Sequence, residues 1–269
     1  MASNERTKVK SRNEAFVDKT ETRIWYEEPS KDNPYIAENN LCHGYDILEL
    51  AKKRSFVDTL YLLFRGELPS KEDSIILEHL MIALINPGPR HPATQSAMNA
   101  GVGKTDPAHI LPIGLTILGG EHSGASEVEP CMRFLRKNRK RPVNEVVDKL
   151  LKEKASDDDF LTPGFGSKFG SIEIMTQKFV DQILYLNKDQ QTLYWANEFS
   201  KKMNAYNVGW LPTGLAAAVF SDLGFQPRTC IGLFQLLSAP GLLAHGMELA
   251  NKPVTAMPFI SDENYVIEK

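Results

Sequence analysis

The sequence predicts an all-α protein with a short β-hairpin near its N-terminal end. Three observations carry this prediction. Strand-like residues are confined to positions 22–42, helix-start signals recur ahead of apolar residues at helical spacing, and two charge-poor apolar runs lie near the C-terminal end.

In chain order, "TRIWYEE" and "YIAENNLC" flank the turn-rich "PSKDNP", which is the pattern of a hairpin. Ser55 with Asp58 three residues on opens "FVDTLYLLF", and Ser70 with Asp73 opens "KEDSIILEHLMIALI". In such a pair the serine oxygen accepts from an unpaired N–H of the first turn, while the acid reaches back to the serine N–H. Apolar residues at Ile75, Ile76, Leu80, Leu84 and Ile85 keep helical spacing. Asp106 before Pro107 is an N-cap followed by proline at the first helical position, leading into "AHILPIGLTIL". The middle of the chain changes character, with basic "RKNRKR" at 136–141, acidic "SDDD" at 156–159 and the loop-like "TPGFGSKFG". Two more helices follow in "IEIMTQKFVDQILYL" and "QQTLYWANEFSKKMNAY". "TGLAAAVF" and "CIGLFQLLSAPGLLAHGMELA" have apolar residues on nearly every face, so they are expected to be buried on all sides.

A formal net charge of -3 gives no global attraction to nucleic acid or to an anionic membrane, and it leaves small anionic ligands open. Cys42, Cys131 and Cys230 lie far apart without a paired spacing, so neither a disulfide framework nor a zinc or other metal site is expected. The first twenty residues lack the apolar core of a secretory signal, and no stretch reads as the ~20 apolar residues of a membrane span. A cytoplasmic, soluble protein is the expectation.

Six stretches resemble, in order and spacing, the citrate synthase family, which includes citryl-CoA lyases. They are "HGYDILELA" (43–51), "LYLLFRGELPS" (60–70), "HPATQSA" (91–97), "GGEHSGASE" (119–127), "TPGFGSK" (162–168) and "LFQLLSAPGLLAHGME" (233–248). The resemblance implies a citrate synthase-like fold, with a large helical domain from residues 1–125 and 208–269 and a small helical domain from 126–207. It also implies a homodimer, a site in the interdomain cleft, and coenzyme A bound as the acyl thioester.

Making a carbon-carbon bond from an acyl-CoA takes a base for the α proton, a donor for the enol oxygen and an anchor for the carbonyl partner. By resemblance, His122 is the donor to the thioester carbonyl; the alternative is a histidine that only caps a turn. His91 is matched to a histidine that contacts the carboxylate-bearing partner, or else only begins a helix beside Pro92, and the adjacent Arg90 could add positive charge for an anion. Pro163, Gly164, Phe165 and Gly166 are matched to the loop that holds the CoA adenine, or else form a plain turn. The basic run at 136–141 either meets CoA phosphates or is a solvated helix end.

The pattern also departs from the family. Ser167 stands in place of a second catalytic histidine. Trp210 stands at the general-base aspartate, and no Asp or Glu occurs from Phe199 to Ser221. Ser238 stands at a carboxylate-clamping arginine, and "KPVTAMP" replaces a basic element near the C-terminal end. The expected activity is that of an acyl-CoA carbon-carbon lyase or acyltransferase acting on a carbonyl partner other than ordinary oxaloacetate, with Trp210 lining the substrate site and Ser167 or Tyr206 among the candidate proton carriers. The alternative is a non-catalytic homologue that binds CoA or an acyl-CoA as a regulatory or interaction subunit.

Overall fold

The computed structural model describes residues 19–153, 162–186 and 190–268; the acidic stretch at 156–159 lies outside them. Among the described residues there are eleven α-helices and two small antiparallel sheets. The chain divides after Leu68 into two units.

In the first unit, β1 (Trp25–Pro29) pairs with β2 (Ala37–Cys42) in the predicted hairpin. A third strand that the sequence reading did not foresee, β3 (Tyr45–Asp46), continues the sheet. His43 and Gly44, both at positive φ, make the tight reversal into it. Asp46 then caps α1 (Ile47–Lys53) by accepting from the N–H groups of Leu48 and Glu49. Ser55 and Asp58 form the reciprocal capping box of α2 (Phe56–Arg65). Cys42, Leu50 and Leu62 form the buried centre of this unit.

The second unit contains α3 (Lys71–Leu84), α4 (Pro92–Val102), α5 (Pro107–Leu118), α6 (Val128–Asn138), α7 (Val143–Glu153), α8 (Ile174–Leu186), α9 (Gln191–Met203), α10 (Pro212–Asp222) and α11 (Pro227–Ala250). Ser70 and Asp106 cap α3 and α5 as the sequence predicts. The short strands β4 (Phe165–Gly166) and β5 (Gly209–Trp210), absent from the sequence reading, pair antiparallel. α11 runs along α4, α5 and α6, and α10 packs between α6 and α9. The α4 and α11 backbones touch: a Cβ on Gly101 would lie 2.0 Å from the carbonyl oxygen of Gly246. α6, α8 and α9, from the 126–207 segment, belong to the same unit as the helices that flank it, so this division differs from the one the resemblance implies.

α10 is buried at every position from Thr213 to Ser221, as its composition suggests. α11 corrects the expectation: one face is buried, while Leu236, Leu243 and Met247 are exposed along the other. Its 24 residues also have the length and apolar content of a membrane span, which corrects the expectation that no stretch does. Packing along α4, α5 and α6 is the arrangement of a core helix.

Candidate functional site

A cavity of about 230 Å³ opens in the second unit, with walls from the end of α3, the start of α4, the 168–179 segment, α10 and α11. Most of its wall is apolar, from side chains such as Leu84, Leu118, Phe179, Leu215 and Phe234. The polar side is made by His91, Ser123, Lys168, Glu173, Thr176 and Ser238. Segment 126–207 and both of its flanks therefore contribute to one wall.

His91 is held on both ring nitrogens. Its Nδ1 accepts from the Ala93 N–H at 3.1 Å, capping α4, so the proton sits on Nε2, which donates to the Ser123 carbonyl at 3.2 Å. Burial is the main reason its pKa lies below the usual histidine value; the Ser123 carbonyl opposes this shift and the Lys168 charge reinforces it. The folded protein thus binds this proton less readily than the unfolded chain. Stability from His91 is present above the ordinary value of 6.5 and is lost as pH falls through the lower folded value. We expect acid titration of the denaturation midpoint to show this loss, and His91→Asn, which keeps a capping oxygen without a titrating ring, to remove it.

Ser123 presents its carbonyl to His91 from φ 56°, a left-handed conformation that glycine adopts more readily than serine. Lys168 and Glu173 come together through a tight turn at Phe169 (φ 53°) and Gly170 (φ 76°), closed by hydrogen bonds between the Lys168 and Ser171 backbones. Glu173 accepts from the Thr176 hydroxyl and lies 3.9 Å from Lys168 Nζ. Ser238 is 1% exposed and lines the cavity wall.

Other residues singled out by sequence have different surroundings. His122 is exposed in the bend just before Ser123 and does not line this cavity; Ser167 is also exposed. Arg90 is exposed and lines an adjoining groove of about 340 Å³ that shares Lys168 and Glu173 with the cavity. Trp210, expected against a ligand, is instead in the core at 1% exposure, with its ring 4.8 Å from Phe165 and its Nε1 donating to Asn197 at 3.4 Å. Tyr206 is exposed.

The 163–166 loop is also used by the chain itself. Phe165 packs against Phe199 and Trp210, and only Pro163 and Gly166 keep partial exposure. The Gly164 N–H donates to Glu127 Oε1 at 3.1 Å, and its carbonyl accepts from Leu211 N at 3.0 Å. The other oxygen of Glu127 accepts from Thr213 Oγ1 at 2.6 Å. One half-buried carboxylate therefore joins the 119–127, 162–168 and 213–214 segments. Beside it, burial and the Glu127 charge push the Cys131 thiol well above its usual pKa, so it is not a nucleophile at neutral pH. No cluster of three or more metal-ligating side chains is present among the described residues.

Lys168, Glu173, Thr176 and the Ser123 carbonyl were not assigned roles from sequence. The available signal was the pair of opposite charges flanking "FGSI", because a turn at a positive-φ glycine returns the chain on itself.

No family model matches the chain, and no curated protein matches it by sequence. Solved structures do match it. Citryl-CoA lyase from Hydrogenobacter thermophilus superposes with a TM-score of 0.75 at 24% identity, over 93% of this chain and 94% of that one. ATP citrate lyase from Methanosaeta concilii, in complex with (3S)-citryl-CoA, gives 0.71 at 16% identity, over 93% of this chain and 43% of that one. Citrate synthase from Thermoplasma acidophilum, with carboxymethyl coenzyme A and oxaloacetate, gives 0.62 at 15% identity, over 80% of this chain and 57% of that one. The chain spans less than two thirds of the latter two proteins. These likenesses show that it has the citrate synthase-like fold.

Proposed function

We propose that the protein is an enzyme of citrate synthase type, forming or cleaving a carbon-carbon bond between the acyl group of a CoA thioester and a carbonyl partner. The observation that carries this reading is the cavity itself, where residues of separate motif segments, His91, Ser123 and Lys168, line one largely apolar space. An apolar space with a few polar groups along one side suits an acyl chain with one reacting oxygen. CoA approaches along the adjoining groove, with Arg90 near its entrance and Gly166 and Ser167 at the exposed edge of the 163–166 loop. His122, one residue from the wall, is the rim donor to the thioester carbonyl.

Ordinary oxaloacetate or citrate is a poor fit. Lys168 is the lone cationic side chain on the cavity wall among the described residues, and Glu173 stands beside it. Each missing charge-assisted bond to a carboxylate is worth about 1.5–3 kcal/mol. Calorimetry should therefore show citrate and oxaloacetate binding weakly compared with a monocarboxylic or uncharged carbonyl compound. A thiol-release assay with a panel of acyl-CoAs and oxo acids, run with the reverse cleavage assay, tests the reading. Turnover that His122→Ala nearly abolishes, with CoA affinity kept within a few fold, supports it.

The burial of Trp210 where the family has its aspartate favours a second reading, a non-catalytic CoA or acyl-CoA binder. CoA binding without turnover of any pair would select it, and failure of CoA and all thioesters to bind would remove both readings. We also propose a cytoplasmic homodimer. The exposed Leu236, Leu243 and Met247 on α11, together with Ile117 on α5, support the dimer. Light scattering should give a mass near twice 30.2 kDa.

A further inference from the structure

We propose that Glu173 is the catalytic base of the cavity, the group that takes the α proton of the acyl thioester in place of the absent aspartate. This rests on the reading that the cavity handles a CoA thioester.

A base for this step needs a lone pair open to the substrate. Three ionisable side chains line the cavity among the described residues: His91, Lys168 and Glu173. His91 has Nδ1 committed to the Ala93 N–H and Nε2–H committed to the Ser123 carbonyl. A lysine ammonium has no lone pair to offer. Glu173 is different. Its Oε2 is oriented by the Thr176 hydroxyl, while its Oε1 is 3.9 Å from Lys168 Nζ, too far for a hydrogen bond, and keeps its lone pairs for a ligand. The carboxylate also borders both the cavity and the adjoining groove, where a thioester reaching from the groove into the cavity would present its α carbon.

The oxygen side of the reaction has a donor as well. That donor is His122 at the rim, and Lys168 adds positive charge to the cavity wall, which Ser238 also lines from a buried position. In the step, a lone pair on Oε1 takes the α proton, the C–H electron pair becomes the carbon-carbon π bond, and the carbonyl π pair moves onto oxygen. Glu173 becomes the neutral acid. In the cleavage direction it returns the proton to the same carbon.

The test is proton exchange. Acetyl-, propionyl- and butyryl-CoA are incubated in D2O with wild type, Glu173→Gln and Glu173→Asp, and loss of the α-proton signal is followed by NMR across pH. The wild type is expected to exchange at least one of the three, and Glu173→Gln to slow that exchange by about a hundredfold or more. CoA affinity by calorimetry should stay within a few fold. Glu173→Asp should keep part of the rate and shift the pH profile. Wild-type exchange that Glu173→Gln leaves intact overturns the assignment and spares the thioester reading. CoA binding without any wild-type exchange overturns the thioester chemistry, and the role of Glu173 with it. If Glu173→Gln does not fold, an unmoved pH profile in Glu173→Asp overturns the assignment.

Discussion

Gly164→Ala should lower the stability of the protein by about 2–5 kcal/mol, a large part of the roughly 5–15 kcal/mol that holds a domain folded. Two effects add at this position. Gly164 has φ +81°, where a side chain is strained by about 1–2 kcal/mol. An added Cβ would also lie 2.4 Å from Cys131 Sγ and 2.6 Å from the Gly214 Cα, so buried chain must move, and overpacking of this kind costs about 1–3 kcal/mol. Gly170→Ala separates the two effects. Its φ is +76°, but nothing lies within 4 Å of the added carbon, so only the backbone strain remains. Urea denaturation followed by helical circular dichroism should show Gly164→Ala losing at least twice as much as Gly170→Ala. Equal losses would mean that the close packing at Gly164 carries no weight. Loss of CoA binding in a Gly164 variant would report this unfolding rather than a lost ligand contact.

The second large effect is expected at Asp222. The start of α9 has no cap from its own Gln190, and Asp222, at the end of α10, supplies one by accepting from the N–H groups of Thr192 at 2.8 Å and Leu193 at 2.9 Å. Both of those residues are fully buried. Asp222→Ala leaves the two N–H groups without an acceptor, at about 1–3 kcal/mol each, and removes a negative charge from a helix N-terminus. A loss of about 2–6 kcal/mol should appear in the same denaturation series. Asp222→Asn keeps one acceptor and should lose less. Burial raises the Asp222 pKa above the ordinary 3.8 despite the bonds that lower it. The folded state therefore holds this proton to higher pH than the unfolded chain. The contribution tied to that shift is complete below 3.8 and is lost as pH rises through the raised value. Against Asp222→Asn, the wild type should become relatively less stable across that window.

These residues also show what a sequence makes legible. Ser55, Ser70 and Asp106 reveal helix starts because the donor and acceptor lie within three residues of each other. Six motifs in order identify the fold because their spacing survives where individual side chains change. Asp222 could not be read as the cap of α9, since its partners are 29 and 30 residues away. The glycine at 164 is legible as a point of close approach, but sequence does not say what approaches; the answer is the Gly214 backbone. Likewise, the absence of any Asp or Glu from Phe199 to Ser221 is visible in the sequence, whereas the carboxylate at Glu173 becomes a candidate only once the chain has turned back at Gly170 and closed the cavity around it.

The Glu127 junction bears on the order in which the protein is assembled. Its two bonds span 37 and 86 residues, so neither can form until long stretches of chain have been brought together. Loop-closure entropy places such contacts late in folding, whereas the local caps of α2, α3 and α5 can form early. A contact made after the rate-limiting barrier acts mainly on the rate of leaving the native state. The carboxylate that joins these three chain segments is thus expected to work as a latch: weakening it would shorten the lifetime of the folded protein and leave its speed of folding nearly unchanged.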